Sequence, residues 1–229
     1  MEKVLSCTGL SKYYGGLPAL SDVSVNLFAG RTTYLTGGSG SGKSTFLRLA
    51  AGLIKPTEGR ITVCGMRPGA DTNESVAFLP DRDFLPNDEK LIDIVRFYSV
   101  FFKNYDTDKA AKALHTLNAD MTKRFGAFSR GMRANIQTAI IAARRAKLFL
   151  LDEPSLACDI DSREFLLETI FDKVRENTAI IISYPDLFGE RLGVYVDDVL
   201  MLKNGTVMFC GNADDYLSGS CFQNDEVIT

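Results

Sequence analysis

Residues 37–45 read GGSGSGKST, and this stretch decides the fold. It fits the pattern G-x-x-x-x-G-K-[ST] at every fixed position. A β-prone run, residues 31–35, precedes it, and Phe46, Leu47, Leu49 and Ala50 recur at helical spacing just beyond. The stretch therefore joins a strand to the N-terminus of a helix, the context that a phosphate-binding loop requires. Such a loop turns its backbone N–H groups inward on a polyphosphate, where the helix adds its partial positive charge. Gly38, Ser39, Gly40, Ser41, Gly42, Lys43, Ser44 and Thr45 are the candidate nucleotide-binding residues. Lys43 is expected to reach the β- and γ-phosphates, and the Ser44 hydroxyl to ligate Mg²⁺. A flexible Gly/Ser linker is the other reading, and the spacing of Lys43 and Ser44 weighs against it.

Working outward, the composition permits a real core: 229 residues, 45% of them hydrophobic, suffice for one large domain or two small ones. A net charge of −3 offers no basic field, so nucleic acid is not expected as a main partner. Cys7, Cys64, Cys158, Cys210 and Cys221 are scattered without a CxxC pair, and no signal sequence opens the chain, which suggests a reducing cytoplasm. No apolar run approaches the roughly 18 residues of a membrane span, so a membrane role is expected to come through another subunit.

Taken in order, residues 3–28 read as two strands around Gly15-Gly16, a small antiparallel layer. Tyr13 and Tyr14 at its turn are either ordinary strand tyrosines, which spacing alone favours, or an aromatic face for a base. After the loop and its helix come strands near 60–64 and 75–79, the second ending at Pro80. Residues 81–143 switch to a helical pattern, an inserted lobe in which Phe97, Tyr98, Phe101 and Phe102 are expected to be core, a partner-docking surface being the other reading. Residues 147–152 read as a buried parallel strand that ends in two carboxylates, Asp152 and Glu153. Beside Lys43 and Ser44 their roles separate by position: Asp152 holds Mg²⁺ directly or through water, and Glu153, one residue further out, polarises an attacking water. A solvated strand end is the other reading of the two acids. Asp161 with Glu164 reads as the cap of a helix through Val174, residues 179–183 as another buried strand, Asn204-Gly205 as a hairpin turn, and 213–217 as a short helix before a polar tail.

These residues together resemble the ATP-binding subunit of ABC transporters, over nearly the whole chain. Besides GGSGSGKST and LFLLDEP, FSRGM at 128–132 lies between the two, where that family carries its LSGGQ signature. The resemblance implies ATP and Mg²⁺ as ligands and a head-to-tail dimer. In that dimer Ser129, Arg130, Gly131 and Met132 act on the ATP of the opposite subunit. Ser129 would cap the helix from Arg130, so that its hydroxyl, the N–H groups and the helix dipole face a γ-phosphate in trans. Tyr14, in KYYG, takes the place of the adenine-stacking aromatic, which reverses the reading from spacing alone.

Departures from the family pattern are informative too. Arg130 and Met132 replace Gly and Gln, a variant similar to the drug, lantibiotic and peptide exporter branch. Asp81, in FLPDRD, stands where the family has its Gln-loop glutamine, and is expected to meet Mg²⁺ or its water. Leu156-Ala157-Cys158-Asp159 keeps Asp159 of the dimer loop and little else. Tyr184, in IIISYPD, stands in the place of the switch histidine, and His115, the single histidine, falls in the helical lobe. Tyr184 is expected to face the γ-phosphate and to donate a hydrogen bond without carrying charge, since a tyrosine keeps its proton up to a pKa of about 10; a strand-end tyrosine turned into the core is the other reading.

The expected architecture is thus an α/β P-loop NTPase of the ABC ATPase type, with a parallel core sheet, a small antiparallel β layer and an inserted helical subdomain. Residues 1–80 and 144–229 would form the ATP-binding core, and 81–143 the helical subdomain. The resemblance implies an ATP-hydrolysing subunit of an exporter of peptide, drug or lipid-like cargo, slowed by Tyr184. It would work as a homodimer or heterodimer with a transmembrane permease subunit at the cytoplasmic face of the membrane. An ATP-gated dimerisation switch with very weak hydrolysis and a soluble ABC ATPase are the alternatives.

Overall fold

The computed structural model of the protein describes residues 1–154, 169–171, 178–184 and 195–218. Two sheets form among them. Strands β1 (Lys3–Tyr14) and β2 (Leu17–Phe28) pair antiparallel around Gly15-Gly16, and β4 (Glu58–Val63) adds antiparallel to the other edge of β1. The second sheet has the order β5 (Val76–Leu79), β6 (Leu148–Asp152), β7 (Ala179–Ser183), β3 (Thr32–Thr36), β8 (Asp198–Lys203), β9 (Thr206–Asn212). Its first five strands run parallel. The expectation of a parallel core is met by those five, while β9 returns antiparallel through a turn whose Asn204 and Gly205 both have positive φ, 50° and 80°.

The three central strands, TTYLT, LFLLD and AIIIS, are buried at every residue. Their side chains alternate between two cores. Leu148, Leu150 and Ile181 join Leu10, Leu20, Phe46 and Leu47 on the face covered by the antiparallel layer and α1 (Lys43–Ala50). Phe149, Leu151, Ile180 and Ile182 join Tyr34 and Ile170 on the other. Burial on both faces explains why these strands read as continuous apolar runs rather than alternating ones.

A third cluster, with Leu91, Ile94, Leu114, Phe125, Ile136 and Ile140, knits α2 (Leu91–Phe101), α3 (Thr107–Thr116) and α4 (Arg130–Ala142). The expected aromatic core of this lobe is only half there. Tyr98 and Phe102 are partly buried, but Phe97 and Phe101 are each 60% exposed and stack on one another, with centroids 5.5 Å apart. Leu91, Ile94, Val95 and Tyr98 already fill the inward stripe of α2, and residues 97 and 101 fall outside it.

Two side-chain clusters fasten α4. Along its length, Gln137 accepts from the Phe84 N–H (2.8 Å) and donates to Asp83 (3.0 Å), which also pairs with Arg133 (3.0 Å). The loop after β5 is thereby stitched to the helix. Just past its C-terminal end, buried Arg144 lies over the Phe102 ring (3.6 Å to the centroid) and bonds to Asn104 and the Asn73 carbonyl; burial pulls its pKa down to about 10. Helix α5 (Ala213–Leu217) is capped by Asn212. Most of the expected helix from Asp161, the dimer-loop residue Asp159 and the polar tail lie outside the described residues.

Candidate active site

Because β5, β6, β7 and β3 run parallel, Asp81, Asp152-Glu153, Ser183-Tyr184 and the loop from Gly37 all leave the same end of the sheet. The loop enters α1 through Gly42, whose φ of 106° is left-handed, with no side-chain cap and no acid in the first turn. The first N–H groups of α1 are thus left to an incoming anion. Walls of other elements hold the loop closed. A Cβ on Gly42 would lie 2.5 Å from the Ala19 carbonyl, and one on Gly37 would lie 2.1 Å from the Leu202 carbonyl. Gly38 and Gly40 have nothing within 4 Å where a Cβ would be. Gly42→Ala is therefore expected to destabilise the protein by about 1–3 kcal/mol, from backbone strain plus the clash with β2, as measured by urea unfolding. An unfolding midpoint equal to wild type would show that the loop can yield there.

Lys43 is 5% exposed. Its ammonium donates to the Gly37 and Gly38 carbonyls (2.7 and 3.2 Å) and lies 3.7 Å from Glu153 Oε1. Ser44 donates to Asp152 Oδ1 (3.0 Å), which also accepts from Ser183 (3.0 Å). Asp152 is fully buried, and among the described residues its Oδ2 has no hydrogen-bond partner; neither does the buried Ser41 hydroxyl inside the loop. An unpaired buried acceptor costs about 1–3 kcal/mol, so such an atom calls for a ligand. Hard oxygen donors from Asp152 and Ser44 fit Mg²⁺ completed by phosphate and water. Among the described residues no group of three or more His, Cys, Asp or Glu side chains is placed to hold a metal by itself.

Glu153 has φ 46°, the left-handed region, which costs an L-residue roughly 1–2 kcal/mol. Burial raises the pKa of both acids. For Asp152 the bonds from Ser44 and Ser183 oppose the rise; for Glu153 Lys43 opposes it, while Asp152 and Asp81 add to it. A carboxylate with a raised pKa is a better base.

The other candidates are placed as follows. Asp81 is within electrostatic range of both acids, yet its carboxylate pairs with Arg48 of α1 (3.8 Å), not with the Ser44–Asp152 pair. Tyr184 stands at the end of β7 as expected, but its hydroxyl donates to the Pro154 carbonyl (2.6 Å) and its ring packs on the second core. A hydroxyl has one proton, and in this arrangement it goes to the Pro154 carbonyl. Tyr14 is 47% exposed at the tip of the hairpin whose Ala19 and Leu20 abut the loop, with the Lys12 ammonium 5.2 Å from its ring centroid. Ser129 caps α4 by accepting from the Met132 N–H (3.3 Å), as its spacing predicts; Ser129 and Arg130 are exposed, and Gly131 and Met132 are half-buried. Sequence reasoning missed Arg48 and Ser183. The signal for Ser183 was its position, the last residue of the apolar strand that neighbours LFLLD.

The family model described as ABC transporter matches residues 20–156. The hemin import ATP-binding protein HmuV of Streptomyces coelicolor is 31% identical over 218 residues, 90% of this chain and 77% of that protein. The SkfA peptide export ATP-binding protein SkfE of Bacillus subtilis is 26% identical over 212 residues, 90% of this chain and 88% of that protein. Among solved structures, an ATP-binding subunit of an ABC transporter superposes with a TM-score of 0.84 at 24% identity, over 97% of this chain and 95% of that one. A dimeric ATP-binding cassette bound to ADP and phosphate superposes with a TM-score of 0.79 at 19% identity, over 91% and 98%. These two likenesses concern the fold.

Proposed function

This chain belongs to the ABC transporter family as an ATP-binding subunit, and from that premise we propose that it hydrolyses ATP to drive export through a separate membrane subunit. The observation that carries the chemistry is the convergence of Lys43 and Ser44 with Asp152 and Glu153 at one end of the sheet. Lys43 and the loop N–H groups, with Ser41 and Thr45, bind and orient the polyphosphate, and Tyr14 stacks on the adenine. Ser44 and Asp152 hold Mg²⁺, with Asp81 joining through water once Arg48 releases it; the ion, when bound, offsets charge developing on the β- and γ-phosphates. Glu153 takes a proton from the attacking water.

The working form in this reading is a head-to-tail dimer, of two copies or with a second ATPase chain. Ser129, Arg130, Gly131 and Met132 meet the partner's γ-phosphate, and the Asp159 loop lies at the junction. ATP closes the dimer and hydrolysis reopens it. We further propose that residues 81–143 form the subdomain that takes up this motion and meets the permease near Asp81. Among the described residues no helix is long and apolar enough to cross a membrane, which suits a peripheral subunit. Export is favoured over import by Arg130 and Met132 in the signature and by the likeness to the peptide export protein. The hemin import relative supports the opposite direction, and the test addresses it. Expressed in its native cell, the chain is expected to fractionate with membranes and to co-purify with a permease, and membrane vesicles with the ATPase face outward should take up cargo on ATP addition. An importer would leave those vesicles empty, and a pool found wholly in the soluble fraction would point to a soluble ATPase.

A further inference from the structure

We infer that Tyr184 is a positioning residue for Glu153, acting through the Pro154 carbonyl; this rests on the reading of Glu153 as the base of ATP hydrolysis. Glu153 holds a left-handed backbone, φ 46°, that an L-residue keeps only where its surroundings fix it. The groups that fix it come from the end of β7. The Glu153 N–H donates to the Ser183 hydroxyl (3.0 Å) and the Ser183 carbonyl (3.1 Å), and the same hydroxyl donates to Asp152 (3.0 Å). Tyr184 Oη then donates to the Pro154 carbonyl at 2.6 Å. The residues before, at and after the strained position are thus each tied to β7.

Tyr184 also reaches the third strand of the site. Its N–H donates to the Leu35 carbonyl of β3 (3.3 Å), the strand that feeds the phosphate loop. One residue therefore links the ends of β3 and β6 from the strand between them. Without the hydroxyl, the Asp152–Pro154 turn keeps the three bonds at Ser183 but loses the one from Tyr184 beyond Glu153. The carboxylate, now 3.7 Å from Lys43, then samples more orientations. ATP binding relies on the loop and Lys43, so this change falls on turnover rather than on affinity.

The test is a double-mutant cycle on the full chain: wild type, Tyr184→Phe, Glu153→Gln and the double variant. The kcat and KM for ATP with Mg²⁺ are read from phosphate release, at a temperature where circular dichroism shows all four folded. Tyr184→Phe keeps the packed ring. It is expected to lower kcat roughly 2- to 12-fold, the effect of about one neutral hydrogen bond, with KM within about twofold of wild type. In the Glu153→Gln background the same change should cost less than about twofold more, since the carboxylate it places is gone. An unchanged kcat in Tyr184→Phe, beside a Glu153→Gln variant that is slow, overturns this inference alone. A raised KM with the same loss of kcat in both backgrounds also overturns it, and makes the hydroxyl a phosphate donor. A lowered melting temperature with wild-type kcat reduces it to a packing role. Wild-type turnover in Glu153→Gln overturns the reading of Glu153 as base, and this inference with it.

Discussion

Glu153→Gln is expected to hydrolyse ATP roughly 10²- to 10⁴-fold more slowly than wild type while binding it as well, the range for loss of a general base. The amide fills the space of the carboxylate and can still bond, but it accepts no proton at neutral pH. Binding survives because the groups proposed to hold phosphate, the loop N–H groups and Lys43, are untouched. It can even tighten. Lys43 now divides itself between two loop carbonyls and Glu153 Oε1 at 3.7 Å, and the neutral amide gives up its hold on the ammonium. An ATP-bound dimer should therefore accumulate and elute early on size exclusion with ATP and Mg²⁺. A variant that stays monomeric and turns over normally would remove Glu153 from the chemistry and leave the site as a binding switch.

Lys43→Ala should act on the other half of the equation. A charge-assisted hydrogen bond contributes about 1.5–3 kcal/mol, so losing this ammonium should raise the Kd for ATP roughly 10- to 150-fold, as read by titration calorimetry. The fold should persist, because the ammonium bonds to loop carbonyls and a partly exposed acid and supports no core side chain. With the cation gone, Glu153 loses the charge that opposes its upward pKa shift, and its pKa should climb further. Wild-type affinity in this variant would mean that the backbone N–H groups carry the phosphate alone.

Much of the fold was legible because local chemistry and burial agree. Leu148–Asp152 and Ala179–Ser183 are buried on both faces, so their sequences are apolar without a break, and Asn204-Gly205 meets the demand of its turn for two positive φ values. The loop was legible for the same reason: Gly37 and Gly42 stand where neighbouring backbone allows no Cβ. What was not legible has a different cause. Phe97 and Phe101 share one face of α2 at i, i+4, but that face lies outside the buried stripe, and periodicity gives a face and not what covers it. The bonds of Asp81 to Arg48 and of Tyr184 to Pro154 join residues 33 and 30 positions apart, and no local pattern records which hydroxyl or carboxylate is already engaged. The left-handed backbone of Glu153 is invisible too, since nothing in its residue type favours it.

The two fastenings of α4 make that helix a lever of unequal arms. Its far end is pinned beyond Ala142 by Arg144, and the loop after β5 grips it at Gln137. With a rise of about 1.5 Å per residue, Gln137 lies roughly 8 Å from Ala142 and Ser129 roughly 20 Å. A rigid swing about the pinned end carries Ser129 about 2.5 times as far as it carries the loop. A displacement of about 1 Å in the loop, within the scale of ordinary side-chain rearrangement, thus arrives at Ser129 as nearly the length of a hydrogen bond.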